Sequence, residues 1–98
     1  MYATIEHRRI NLATLEETVS RGEREFFPQL GRAPGFVGFY VVAQENGENA
    51  AIALWESRAH AESFRVEEAG WLRTLEELGH HLQGQHGGEI IAQLAPRR

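Results

Sequence analysis

The chain has 98 residues, a formal net charge of −4 and no cysteine. That length builds one modest hydrophobic core, so residues 1–98 are read as a single domain. The missing cysteines exclude disulfides, a thiolate nucleophile and a cysteine-type zinc site. Acidic and basic residues are interleaved, and only Arg97 and Arg98 form a locally basic stretch, so no nucleic-acid partner is expected. No apolar run approaches the roughly 20 residues of a membrane span and no charged leader precedes the first strand pattern, which predicts a soluble, cytoplasmic protein with no membrane partner.

Residues 2–9, "YATIEHRR", alternate as a strand, and Asn11 is a helix N-cap before a periodic segment. From Leu12 to Leu30 the positions Leu12, Leu15, Val19, Phe26 and Leu30 share one side of a helical wheel, with Phe27 at its margin. "GRAPG" breaks this helix, and "FVGFYVVA" follows as a second strand. Asn46-Gly47 suits a type I′ hairpin turn, so "AAIALWE" should return antiparallel. Ser57 then caps a second helix from Arg58 to at most Leu82, because Gly70 is able to kink or split it. Its apolar stripe is Ala61, Phe64, Trp71, Leu72, Leu75, Leu78 and Leu82. "QGQHGG" is read as a loop and "EIIAQL" as a last strand ended by Pro96. The order is βαββαβ, a strand-helix half used twice. It predicts an α+β, ferredoxin-like fold: a four-stranded antiparallel sheet with both helices on one face.

A hairpin loop of two or four residues sets Tyr40 opposite Ala53, Phe39 opposite Leu54 and Val41 opposite Ile52, whereas an odd loop reverses the assignment. One face then carries Val37, Phe39, Val41, Ile52 and Leu54. The other carries Gly38, Tyr40, Val42, Ala51, Ala53 and Trp55. Both are apolar, although a sheet with helices on one side normally keeps its far side polar. The first set therefore needs a cover, and a second copy of the chain in a two-fold homodimer supplies it.

"APGFVGFYVV", then "LWES" running straight into a helix, and "GEII" near the end resemble the antibiotic biosynthesis monooxygenase family of dimeric α/β-barrel proteins. The resemblance implies a dimer whose sheets face each other, with a ligand cavity between sheet and helices in each subunit. On that analogy Tyr40, Ala51, Ala53 and Trp55 lie on the cavity side. The family includes cofactor-free quinone-forming oxygenases, heme-degrading enzymes and members without an assigned reaction. The heme-degrading branch uses an asparagine on strand one, a tryptophan on helix two and a histidine ten residues later. Trp71 and His81 have that spacing. Anchoring on "LWES" instead puts Phe64 and Thr74 there, with His7 in place of the asparagine, so all three positions depart from the pattern.

His7 shares strand parity with Ala3 and Ile5 and is expected to project toward the helices. A neutral imidazole there would take a proton from a phenol, leaving an electron-rich anion for oxygen to attack; the plain alternative is a strand-end histidine partly in solvent. Glu68 falls within the apolar sector of helix two, where a carboxylate is costly unless paired with Arg65 or His7, protonated or beside a cavity. The alternative is that Gly70 breaks the helix and Glu68 swings to water. Glu23 shows the same misfit on helix one, but its stem reaches solvent from the stripe margin. Tyr40, Trp55, Phe64 and Trp71 would line a site for a flat ligand, with Ala53 leaving it room, or else are simply core. His80, His81 and His86 are read as a solvated helix end, and no metal is predicted.

The chain contains no aspartate, which excludes a serine, histidine and aspartate hydrolase. The resemblance, taken with these residues, implies a cofactor-independent monooxygenase acting on a phenolic or polyketide-like small molecule, with His7 and Glu68 as its proton-handling pair. The alternative is a non-catalytic dimeric small-molecule-binding or stress-associated protein. A third reading is heme binding through His7, His60 or the helix-end histidines.

Overall fold

The computed structural model describes residues 1–96, so the basic pair Arg97 and Arg98 lies outside the described residues. The chain runs through β1 (Tyr2–Arg9), a 3-10 turn (Leu12–Thr14), α1 (Leu15–Arg21), a π-helical segment (Gly22–Phe26), α2 (Phe27–Gly31), β2 (Phe36–Ala43), β3 (Glu48–Trp55), α3 (Arg58–Glu77) and β4 (His81–Glu89). One antiparallel sheet holds the strands in the order β2-β3-β1-β4, the ferredoxin-like α+β arrangement that the sequence predicts. Among the described residues no helix is long and apolar enough to cross a membrane.

Both expected N-caps form. Asn11 Oδ1 accepts the Ala13 N–H at 3.1 Å and Ser57 Oγ accepts the His60 N–H at 3.3 Å. The first helical run is less regular than its apolar spacing suggests. Its buried residues are Thr18, Gly22, Phe26 and Leu30, each four apart, because a π turn holds more residues than the 3.6 of an α turn. Two members of the predicted stripe, Leu12 and Val19, are exposed in consequence, Leu12 by 80 %.

Helix α3 passes through Gly70 unbroken and stops at Glu77 rather than Leu82. Gly79 ends it: its φ of 89° is left-handed, and the His80 N–H reaches Leu75 O at 2.9 Å while the Gly79 N–H reaches Glu76 O at 3.0 Å. These are the two hydrogen bonds of a Schellman motif. The chain therefore turns at Gly79 into β4, so the segment read as a loop is the last strand. Glycines fit there because a Cβ at Gly87 would overlap the Tyr2 phenol. Of the predicted strand "EIIAQL", Glu89 closes β4 and the Ile90 N–H still reaches Met1 O at 2.9 Å, after which the chain leaves the sheet with Ile91 and Leu94 exposed.

The β2–β3 loop is odd. Gln44 pairs with Glu48 through its N–H at 2.9 Å, leaving Glu45, Asn46 and Gly47 as a three-residue loop. Only Gly47 is left-handed, at φ 83°, whereas a type I′ turn needs Asn46 there too. The register consequently sets Phe39 opposite Ala53, Val41 opposite Ala51 and Tyr40 opposite Ile52, with an irregularity between Phe36 and Gly38. Phe39 and Val41 thus join Ala51, Ala53 and Trp55 on the helix side, which corrects the even-loop assignment. Ile52 and Leu54 stay on the far face, and Val37 sits in the irregular stretch. The core consists of Phe26, Leu30, Ala53, Trp55, Ala61 and Phe64.

Candidate functional site

A cavity of about 270 Å³ lies between the sheet and the helices. Its aromatic end is built by Phe26, Phe39, Trp55, Phe64 and Trp71. Phe26 stacks on Trp71 with centroids 5.4 Å apart and planes at 12°, Phe39 meets Phe26 edge-on at 5.7 Å, and Trp55 tilts against Phe64 at 5.4 Å. Small residues make the room. Ala51 and Ala53 put only methyls between Val41 and Phe39 on one side and Glu6 and Thr4 on the other. A Cβ at Gly22 would stand 3.3 Å from the Trp71 ring, so the glycine of the π segment lets that ring lie against the first helical run.

The other end is polar. On β1 the residues facing the helices are Thr4, Glu6 and Arg8. Arg8 is only 5 % exposed. Its Nη1 donates to Glu76 Oε1 at 3.1 Å and to the His80 carbonyl at 3.0 Å, and its Nη2 donates to Glu6 Oε2 at 3.4 Å. Among the described residues, Arg8 Nε and Asn49 Oδ1 are buried without a hydrogen-bond partner.

Glu68 lines the same cavity, half-buried. Burial pushes its carboxyl up to about 7; Glu6 adds repulsion, while Arg65 and Arg8 pull the other way. His80 also borders the cavity and is 2 % exposed, which overturns its reading as part of a solvated helix end. Its Nδ1 accepts the Asn11 N–H at 3.2 Å, so Nε2 carries the hydrogen and donates to Thr18 Oγ1 at 2.7 Å. The Thr18 hydroxyl donates onward to the Thr14 carbonyl at 2.8 Å. Burial lowers the His80 pKa, and the positive charge of Arg8 and then His81 lowers it further. His81 is exposed and meets Glu76 at 2.7 Å.

Of the residues singled out from sequence, Ala53, Trp55, Phe64, Trp71 and Glu68 converge on the cavity. Two do not. Tyr40 points to the far face, 59 % exposed, because of the odd loop. His7 does share a face with Ala3 and Ile5, but that face turns away from the helices, and its ring packs edge-on against His86 at 5.8 Å. Arg8, Glu6 and Asn49 were not anticipated, and His80 was placed at a solvated helix end rather than at the cavity. Alternating polar residues on a strand ordinarily mark its wet side, and only the cross-strand register, Glu6 opposite Ala51 and Arg8 opposite Asn49, brings them to the cavity wall. Among the described residues no group of three His, Cys, Asp or Glu side chains is placed to hold a metal ion.

No protein-family model matches the chain, and no curated protein matches it either. Solved structures do. A monooxygenase from the gene ActVA-Orf6 of Streptomyces coelicolor, in complex with the ligand nanaomycin D, superposes with a TM-score of 0.75 at 17 % identity over 98 % of this chain and 92 % of its own. SnoaB, a cofactor-independent oxygenase from Streptomyces nogalater, gives 0.69 at 16 % identity over 97 % of both chains. The heme-degrader MhuD from Mycobacterium tuberculosis, with two hemes bound, gives 0.66 at 16 % identity over 97 % of this chain and all of its own. Identities this low establish the architecture, and the chain has the fold of the antibiotic biosynthesis monooxygenases.

Proposed function

We propose that the protein is a cofactor-independent monooxygenase that oxidises a flat phenolic molecule in this cavity, with Glu68 as the base. The observation that carries this reading is a carboxyl held at about 7 beside an aromatic wall. A base poised near neutral pH is suited to take a proton from a phenol or an enolised anthrone. The resulting anion is rich enough in electrons to reduce oxygen. In an anthrone the ring CH2 becomes a carbonyl, one atom of O2 enters the product, and the other leaves as water with a proton returned by Glu68. The aromatic end holds the rings. His7, on the other face of the sheet, has no part in this chemistry. The similarity to a cofactor-independent oxygenase and to a monooxygenase with a bound ligand supports the proposal.

The geometry does not favour heme. His80, the buried histidine of the cavity wall, has both ring nitrogens hydrogen-bonded within the protein, and His81 is exposed. The far face of the sheet, with Ile5, Tyr40, Val42, Ile52 and Leu54, is the surface we assign to a homodimer.

The test is oxygen uptake with hydroquinones and anthrones. Glu68→Gln should lower the rate by about 10²–10⁴-fold, and His7→Ala should leave it close to wild type. Full activity in Glu68→Gln would remove the base from the proposal.

A further inference from the structure

The two unpartnered buried atoms of the cavity wall are of opposite kind: Arg8 Nε is a donor and Asn49 Oδ1 an acceptor. Their residues face each other across the β1–β3 ladder, and both line the cavity. Buried polar groups are normally hydrogen-bonded, so a complementary donor and acceptor left unpaired on facing residues of one cavity are a mark of recognition. The rest of the Arg8 guanidinium is occupied, with Glu76 and the His80 carbonyl on Nη1 and Glu6 on Nη2. Two carboxylates already face its charge, so a carboxylate on a ligand would meet Glu6 rather than an open cation. A donor beside an acceptor suits one group able to accept and donate at once, which is a neutral hydroxyl. An ether or a phenolate accepts from Arg8 but brings no hydrogen to Asn49.

We propose that Arg8 Nε and Asn49 Oδ1 form a subsite for one neutral hydroxyl of an aromatic ligand whose rings lie toward Phe39 and Trp55. This hydroxyl is distinct from the one that gives its proton to Glu68, so the substrate class is a polyhydroxylated aromatic. The inference rests on the reading of the cavity as an aromatic site.

Calorimetric titration of the whole protein with 2-naphthol, 2-methoxynaphthalene and 2-naphthoate tests it. Wild type should bind the naphthol about tenfold more tightly than either of the others, the effect of one buried hydrogen bond lost. In Asn49→Leu, or in Asn49→Ala if the leucine variant does not fold, the naphthol and its methyl ether should bind within about twofold of each other. In Glu68→Gln the tenfold preference should persist. No discrimination by wild type, a preference that survives in both Asn49 variants or vanishes in Glu68→Gln, or tightest binding of the naphthoate would overturn the subsite. If none of the three binds, the aromatic reading of the cavity falls and this inference with it. A protein that prefers the naphthol in this way yet consumes no oxygen would keep the subsite and lose only the monooxygenase reading.

Discussion

Replacing Glu68 with glutamine keeps the shape of the side chain and deletes its charge, so its effect on stability should depend on pH in a calculable way. The folded protein holds the Glu68 proton up to about 7 because the carboxyl is buried and faces Glu6, whereas the ordinary value is 4.5. Between those two values the folded state keeps a proton that the unfolded chain has released. Stability from this group is therefore fully present below pH 4.5, falls as pH rises through 7 and stays low above it. The interval corresponds to roughly 3 kcal/mol at about 1.36 kcal/mol per pH unit. Glu68 is only half-buried, and solvent screening reduces that to about 1–2 kcal/mol. Glu68→Gln should consequently match wild type near pH 4 and exceed it near pH 8.5, with an unfolding midpoint raised by roughly 5–15 °C for a chain of this size. Thermal melts followed by circular dichroism at the two pH values provide the comparison. An unchanged or lowered midpoint at the higher pH would show that Glu68 carries no buried charge, and the proposed base would lose its physical basis.

Three further perturbations probe other parts of the structure. Ala53→Leu adds three carbons between Phe39 and Thr4 at the cavity wall; filling open space gains at most about 2 kcal/mol, whereas overpacking costs roughly 1–3 kcal/mol. A midpoint that holds or rises, together with lost ligand affinity, is expected, and a large drop would mean tight core rather than cavity. His80→Ala should cost roughly 2–4 kcal/mol, since it removes packing and strands the Asn11 N–H. Because burial lowers the His80 pKa, the wild-type advantage should shrink as pH falls below about 6.5, and urea titrations at pH 7.5 and 5.5 that give the same gap would contradict this. Leu54→Glu places a charge on the far face and should dissociate or unfold a homodimer. A well-folded wild-type monomer at micromolar concentration in sedimentation would rule that dimer out.

What the sequence made legible was what depends on neighbouring residues. The alternation in "AAIALW" places Ala51, Ala53 and Trp55 on one face whatever the hairpin does, and the two caps mark where helices begin. Features that turn on a single residue's backbone were not legible. Gly47 alone, rather than Asn46 and Gly47 together, takes the left-handed conformation, and that one difference turns Phe39 inward and Tyr40 outward. Likewise, one widened turn at Gly22–Phe26 shifts the buried face of the first helical run away from Leu12 and Val19. The glycines of β4 hid a strand because their fit against Tyr2 is a tertiary contact. The polar end of the cavity was obscured for a different reason. Apolar Ala3 and Ile5 suggest that their side of β1 meets the helices, yet the helices cover the side with Glu6 and Arg8. An apolar pattern does not say which face of a strand the helices cover, and here the face they leave open is the apolar one.

The proposed chemistry is tested most directly by the pH dependence of oxygen consumption by the wild-type protein with a hydroxylated anthrone. The rate should rise to a plateau through an apparent pKa near 7, the value at which Glu68 releases its proton, and Glu68→Gln should lose both the rate and the inflection. Oxygen consumption no faster than in buffer, or an inflection that persists in Glu68→Gln, would contradict Glu68-dependent oxygenation in this cavity.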